Sequence, residues 1–98
     1  MNLDKKVYEV IRQCAEKYQD ITKVVLFGSR ARDEAHERSD IDLGIYGCNQ
    51  LNEFIYELEE KAPTLLEFDI TNMNEVEDVF FREQVIKDGV VLYEKSWF

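Results

Sequence analysis

The chain has little of what usually breaks, staples or anchors a fold. It carries one proline, Pro63, and four glycines in 98 residues, so long disordered or loop-rich stretches are not expected. Two cysteines, Cys14 and Cys48, show no Cys-x-x-Cys spacing, and the one histidine is His36. That excludes a zinc module built on Cys and His, and it fits free thiols in a reducing cytoplasm. No apolar run approaches the roughly 20 residues of a membrane span. The start, MNLDKKVYEV, lacks the apolar core of a signal peptide. A cytoplasmic location without membrane contact is the expectation. Positive charge is scarce too: 12 Lys and Arg against 21 Asp and Glu leave a formal charge of −9. Such a surface repels the phosphates of a free polynucleotide, so direct nucleic-acid binding is not expected.

What is there reads as a globular chain. Hydrophobic residues make up 45%, an ordinary share, and the length predicts one small domain over residues 1–98. The pattern alternates between the two regular periods. Residues 4–19 read as a helix, with Val7, Val10, Ile11, Cys14 and Tyr18 on one stripe. Strands are expected at 23–27, 40–46, 65–70 and 90–93, and a helix at 50–61 that Pro63 ends. A short helix fits 30–35 with Ser29 as N-cap. Asn74 with Glu77 resembles a capping box for a last helix running to Asp88, with Gly89 as its C′ residue. Tyr18, Phe54 and Phe80 read as core, and His36 as a solvated side chain. Trp97 and Phe98 either fold back onto the sheet or form part of a subunit contact.

The scarce positive charge gathers in one place. Three of the five arginines, Arg30, Arg32 and Arg38, lie within residues 28–42, GSRARDEAHERSDID. An apolar run, Val24 to Phe27, leads into Gly28-Ser29, and ten residues later comes Asp40-Ile41-Asp42. Residues i and i+2 of a strand share a face, so Asp40 and Asp42 project together while Ile41, Leu43 and Ile45 face the other way. Two such carboxylates can bridge divalent cations about 3.5–4 Å apart. Hard oxygen ligands suit Mg²⁺, which completes its shell with water and substrate phosphate. Gly28 lets backbone approach a phosphate, and the Ser29 hydroxyl and nearby amides can donate to it. The local reversal of sign fits a site that receives a polyanion. Other acid-x-acid pairs, such as Glu57/Glu59 and Glu75/Glu77, lack this context and read as solvated acids.

These residues, GSRAR…SDIDLGI, resemble the signature of the polymerase-beta-like nucleotidyltransferase superfamily, and the length points to its minimal branch. The resemblance implies an α+β fold: a two-layer sandwich, a small mixed sheet with helices packed on one face. It implies a two-metal Mg²⁺ site at Asp40 and Asp42, and a nucleotide held by Gly28, Ser29, Arg30, Arg32 and Ser39. It also implies a third carboxylate on a later strand, which activates the attacking hydroxyl and helps hold a metal. Glu67 and Asp69 both face the open side there; by resemblance the role goes to Asp69, with Glu67 as competitor.

The expected reaction moves a nucleoside monophosphate, AMP from ATP or its counterpart from another NTP, onto a hydroxyl. So short a chain leaves no room for an acceptor-binding domain. Minimal nucleotidyltransferases commonly accompany a HEPN-domain protein, an all-helical RNase toxin, and act as antitoxin by adding AMP to its tyrosine. The resemblance therefore implies a hetero-oligomer with such a helical partner. Two rivals remain: a module that inhibits its partner by masking alone, and a subunit that modifies a small-molecule hydroxyl.

Overall fold

The computed structural model describes residues 1–96; Trp97 and Phe98, with the two readings given for them, lie outside. The first helix, α1 (Lys5–Glu16), starts where the Asp4 carboxylate accepts from the amides of Lys6 at 2.8 Å and Val7 at 3.4 Å. It buries Val7, Ile11, Cys14 and Ala15. It stops short of residue 19 because the Lys17 and Tyr18 amides reach back only three residues, to the carbonyls of Cys14 and Ala15.

Four strands follow: β1 (Lys23–Phe27), β2 (Ile41–Tyr46), β3 (Phe68–Asn72) and β4 (Val90–Glu94). They lie in the order β3-β2-β1-β4. β1 runs antiparallel to both β2 and β4, while β2 and β3 are parallel. A parallel pair needs a crossover, and α3 (Leu51–Lys61) supplies it. The sheet is mixed and the fold is α+β, as the sequence predicts. Ile41, Leu43 and Ile45 of β2 face α1 and α3, in one core with Val7, Ile11, Phe54 and Leu58. Tyr18 stands edge-on to Phe54 in that core, ring centres 5.7 Å apart.

Several boundaries differ from expectation, each for a local reason. The strand expected at 65–70 starts only at Phe68. Thr64 accepts the Leu66 amide in a turn at 3.1 Å, and Leu65 is fully exposed. The last helix, α4 (Val79–Asp88), starts late because Asp78, not Asn74, caps it: the Asp78 carboxylate accepts from the amides of Phe80 and Phe81. Asn74 instead accepts from the Gly47 amide. Gly89 is extended rather than left-handed, and a side chain there would strike the Val85 carbonyl and Val25.

Helix α4 also corrects the one-sided layering. It lies against the opposite face, where Val85 packs with Val25 and Met73. Phe81 meets Phe27 edge-on at 5.5 Å. Phe80, read as core, is 82% exposed. The reason lies in β1, where Val24, Val25 and Leu26 are all buried: a strand apolar at successive positions is covered on both faces. Among the described residues no helix is long and apolar enough to cross a membrane.

Candidate active site

The chain leaves β1 at Phe27 and turns at Gly28, whose φ of +73° is left-handed. Glycine is needed twice over. The backbone conformation disfavours any Cβ, and a Cβ would fall on the Asp42 carboxylate. The short helix α2 (Gly28–Ala31) follows at once. It was expected at 30–35 behind a Ser29 cap; instead Ser29 lies inside it, and the Ser29 carbonyl accepts the Glu34 amide at 2.9 Å.

The sheet register then aligns the acids. Phe27 pairs with Asp42 across β1 and β2, and Asp42 pairs with Asp69 across β2 and β3. Burial pushes the Asp42 carboxyl above the ordinary aspartate value. The charges of Asp69 and Asp40 and a hydrogen bond with Asp69 push it further, and only Arg32 opposes them. Asp40 lies one residue before β2 and is exposed; its neighbour Ile41 donates its amide to the Glu67 carbonyl at 2.9 Å. Glu67 is exposed, precedes β3 and is not among the groups acting on Asp42. The late start of β3 leaves the face of Asp69 unchanged, since the strand parity is kept.

The arginines separate in kind. Arg32 is exposed, pairs with Glu34 at 3.1 Å and acts on Asp42. Arg38 is exposed, as is His36. Arg30 is buried, with 8% exposure. Its guanidinium donates to the carbonyls of Ser39, Asn2, His36 and Glu37. Those bonds turn it into the loop and occupy its guanidinium with carbonyls. Ser39 is likewise engaged in the loop, its hydroxyl accepting the His36 amide at 2.9 Å. Sequence reading missed Asn2, which accepts the Ala35 amide on its side chain and an Arg30 N–H on its carbonyl. No local pattern links positions so far apart.

Among the described residues no three acid, His or Cys side chains close into a ready metal cage. Mg²⁺ does not require one, because it keeps waters and takes phosphate oxygens. Asp42, Asp69 and Asp40 fit a partial ligand set: they crowd like charges, and a cation relieves such crowding. With Gly28 and Arg32 beside them, the arrangement can bind a metal-bound polyphosphate and accept a proton.

Residues 9–97 match the family described as Polymerase beta, Nucleotidyltransferase. A protein of Methanocaldococcus jannaschii, provisionally named a protein adenylyltransferase, is 34% identical over 103 residues, which span 95% of this chain and 100% of that one. Among solved structures, a chain of a mutant MntA–HpeT toxin–antitoxin matches with a TM-score of 0.70 at 21% identity, covering 90% of this chain and 73% of the other. A chain of a toxin–antitoxin with AMP-PNP gives 0.71 at 23% identity, again over 90% and 73%. At that identity the solved structures share the fold. The family match spans nearly the whole sequence, and the chain belongs to the polymerase beta nucleotidyltransferase family.

Proposed function

We propose that this protein transfers AMP from Mg²⁺-ATP to a hydroxyl of a partner protein, most simply a tyrosine of a helical HEPN-type toxin, and so acts as its antitoxin. The observation that carries the reading is the register that sets Asp69 beside Asp42, against the left-handed backbone of Gly28. In this reading Asp40, Asp42 and Asp69 hold the divalent metals. The metals, when bound, supply charge stabilisation at the phosphates. Backbone at Gly28 and Ser29, with Arg32, binds the β- and γ-phosphates. Asp69 takes the proton of the acceptor hydroxyl as its oxygen bonds to the α-phosphorus. The bond from that phosphorus to the bridging oxygen breaks, and pyrophosphate leaves.

The protein acceptor is supported by the name of the Methanocaldococcus jannaschii relative and by the toxin–antitoxin neighbours, one with AMP-PNP. Charge supports it as well: at −9 the chain repels a polynucleotide and attracts a basic, RNA-binding protein. Buried, unpaired Cys14 and Cys48 fit a reducing cytoplasm.

The test is to incubate the chain with α-labelled ATP, Mg²⁺ and its helical partner, then locate the label by mass spectrometry. AMP on a partner tyrosine supports the reading. Label only on small hydroxylated acceptors sinks it, and no label with inhibition intact favours masking alone.

A further inference from the structure

We propose that Arg30 is a positioning residue: it fixes the peptide that carries Asp40 and ties that peptide to the N-terminal segment. The inference rests on the reading that Asp40 and Asp42 hold divalent metal. Strand pairing holds Asp42 and Asp69 but not Asp40, which precedes β2. Something else must set it. The Ser39 carbonyl, in the same peptide as the Asp40 amide, accepts from Arg30 Nε at 3.0 Å and from Nη2 at 2.8 Å. A carbonyl gripped by two donors of a rigid fork fixes its peptide plane. On the other side, the Glu67 carbonyl holds the Ile41 amide at 2.9 Å. Asp40 is therefore suspended between two anchors, one of them Arg30.

The same guanidinium reaches the other way. Nη1 donates to the Asn2 carbonyl at 2.8 Å, and the Asn2 amide donates to the Arg30 carbonyl at 2.8 Å. The Asn2 side chain accepts the Ala35 amide at 3.3 Å. Residue 2 thus braces the loop at two points. Among the described residues Arg30 forms no ion pair, so its buried charge is balanced by carbonyl dipoles alone. A lysine could not replace it, because one ammonium cannot span Asn2 and both bonds to Ser39.

The experiment measures Mn²⁺ affinity by electron paramagnetic resonance, with Mn²⁺ standing in for Mg²⁺. It compares the wild type, Arg30→Lys and Asn2→Ala, with thermal melts and amide exchange at Asp40 and Ile41 alongside. Loss of an outer-shell support costs about 10- to 100-fold in metal affinity, and Arg30→Lys is expected to lose that much. Its Asp40 and Ile41 amides should exchange faster while those of α1 do not. Asn2→Ala, exposed and unable to unfold the core, should shift both readouts the same way by less. It decides the matter if Arg30→Lys does not fold. Unchanged Mn²⁺ affinity in a folded variant overturns the proposal. So does weakened metal-free ATP binding with Mn²⁺ affinity intact, which would make Arg30 a phosphate ligand. A wild type that binds no Mn²⁺ overturns both readings. One that binds Mn²⁺ but transfers nothing overturns only the transferase reading, and the Mn²⁺ series still decides the role of Arg30.

Discussion

The two faces of β2 serve opposite ends. On one, Ile41, Leu43 and Ile45 are at most 1% exposed and packed under α1 and α3. On the other, Asp42 stands beside Asp69, and burial together with the Asp69 charge makes the Asp42 carboxyl harder to ionise. Residues one position apart thus differ completely in what they contribute. The side under α1 and α3 holds the larger core; on the other, which α4 partly covers, the acids strain the fold and keep a place for a cation. Stability and activity should therefore respond separately to substitutions in the same strand.

The largest effect should come from the helix side. Leu43→Ala removes a fully buried side chain and is expected to cost about 2–5 kcal/mol, enough to unfold much of so small a protein. Urea denaturation measures it, and a loss below 1 kcal/mol, about the cost of a surface change, would place Leu43 outside the core.

On the acid side, Asp69→Asn should leave the melt almost untouched and slow transfer by about 10²- to 10⁴-fold, the usual worth of a positioned base. Glu67→Gln should leave transfer near wild type. Single-turnover assays with labelled ATP rank the two, and the reverse order would hand the third carboxylate to Glu67.

Asp42→Asn separates the faces most directly, since it should abolish transfer and yet raise stability. The folded-state carboxyl is raised, so the native state binds more protons than the unfolded chain just above the ordinary aspartate range. Stability therefore falls as pH rises through that window. The amide removes this slope and, in a partly exposed and screened group, should raise Tm by roughly one to three degrees at neutral pH. Scans at several pH values check it; a lower Tm at neutral pH would make Asp42 structural. In the wild type, Mg²⁺-ATP should supply the same relief by binding.

The smallest effect lies far from the acids, on the outer surface. Glu57 accepts from Lys17 at 2.6 Å and from Lys61 at 2.8 Å. Those bonds lower its carboxyl to about 2. The linkage runs opposite to that of Asp42: the contribution is present above the ordinary glutamate value and is lost as pH falls toward 2. Water screens the triad, so Glu57→Gln should move Tm by roughly a degree or two at pH 7. A larger shift would show that the surface charges brace α1 against α3.

Much of this division was legible in the sequence. Alternation at Ile41, Asp42, Leu43 and Ile45 gave both faces of β2, and the distance from Gly28-Ser29 to Asp42 marked the open one. The loop contacts of Arg30 were not legible, because clustered arginines near a phosphate-binding pattern look alike. What sets Arg30 apart is the carbonyl of Asn2 and the closing of a loop, and neither leaves a local pattern. Leu65 and Leu66 looked like a strand start, but the Thr64 turn competes for that backbone. The second-face position of α4 was readable in Val24-Val25-Leu26, a run too apolar for one-sided burial.

The parallel pairing of β2 with β3 carries a consequence for how the chain finds its native state. A slip of β3 by two residues would keep every side chain on its own face. It would bring Glu67, two positions before Asp69, opposite Asp42 in place of Asp69. The misaligned sheet would still offer an acid there, so patterning alone discriminates poorly between the alternatives. Anchors beyond the strand must choose: the Ile41 amide on the Glu67 carbonyl, the Met73 amide on the Ile45 carbonyl, and Met73 itself, 1% exposed beneath α4. Substitutions at Met73, four residues beyond Asp69, should therefore populate a near-native competitor that keeps the ordinary circular dichroism of the fold.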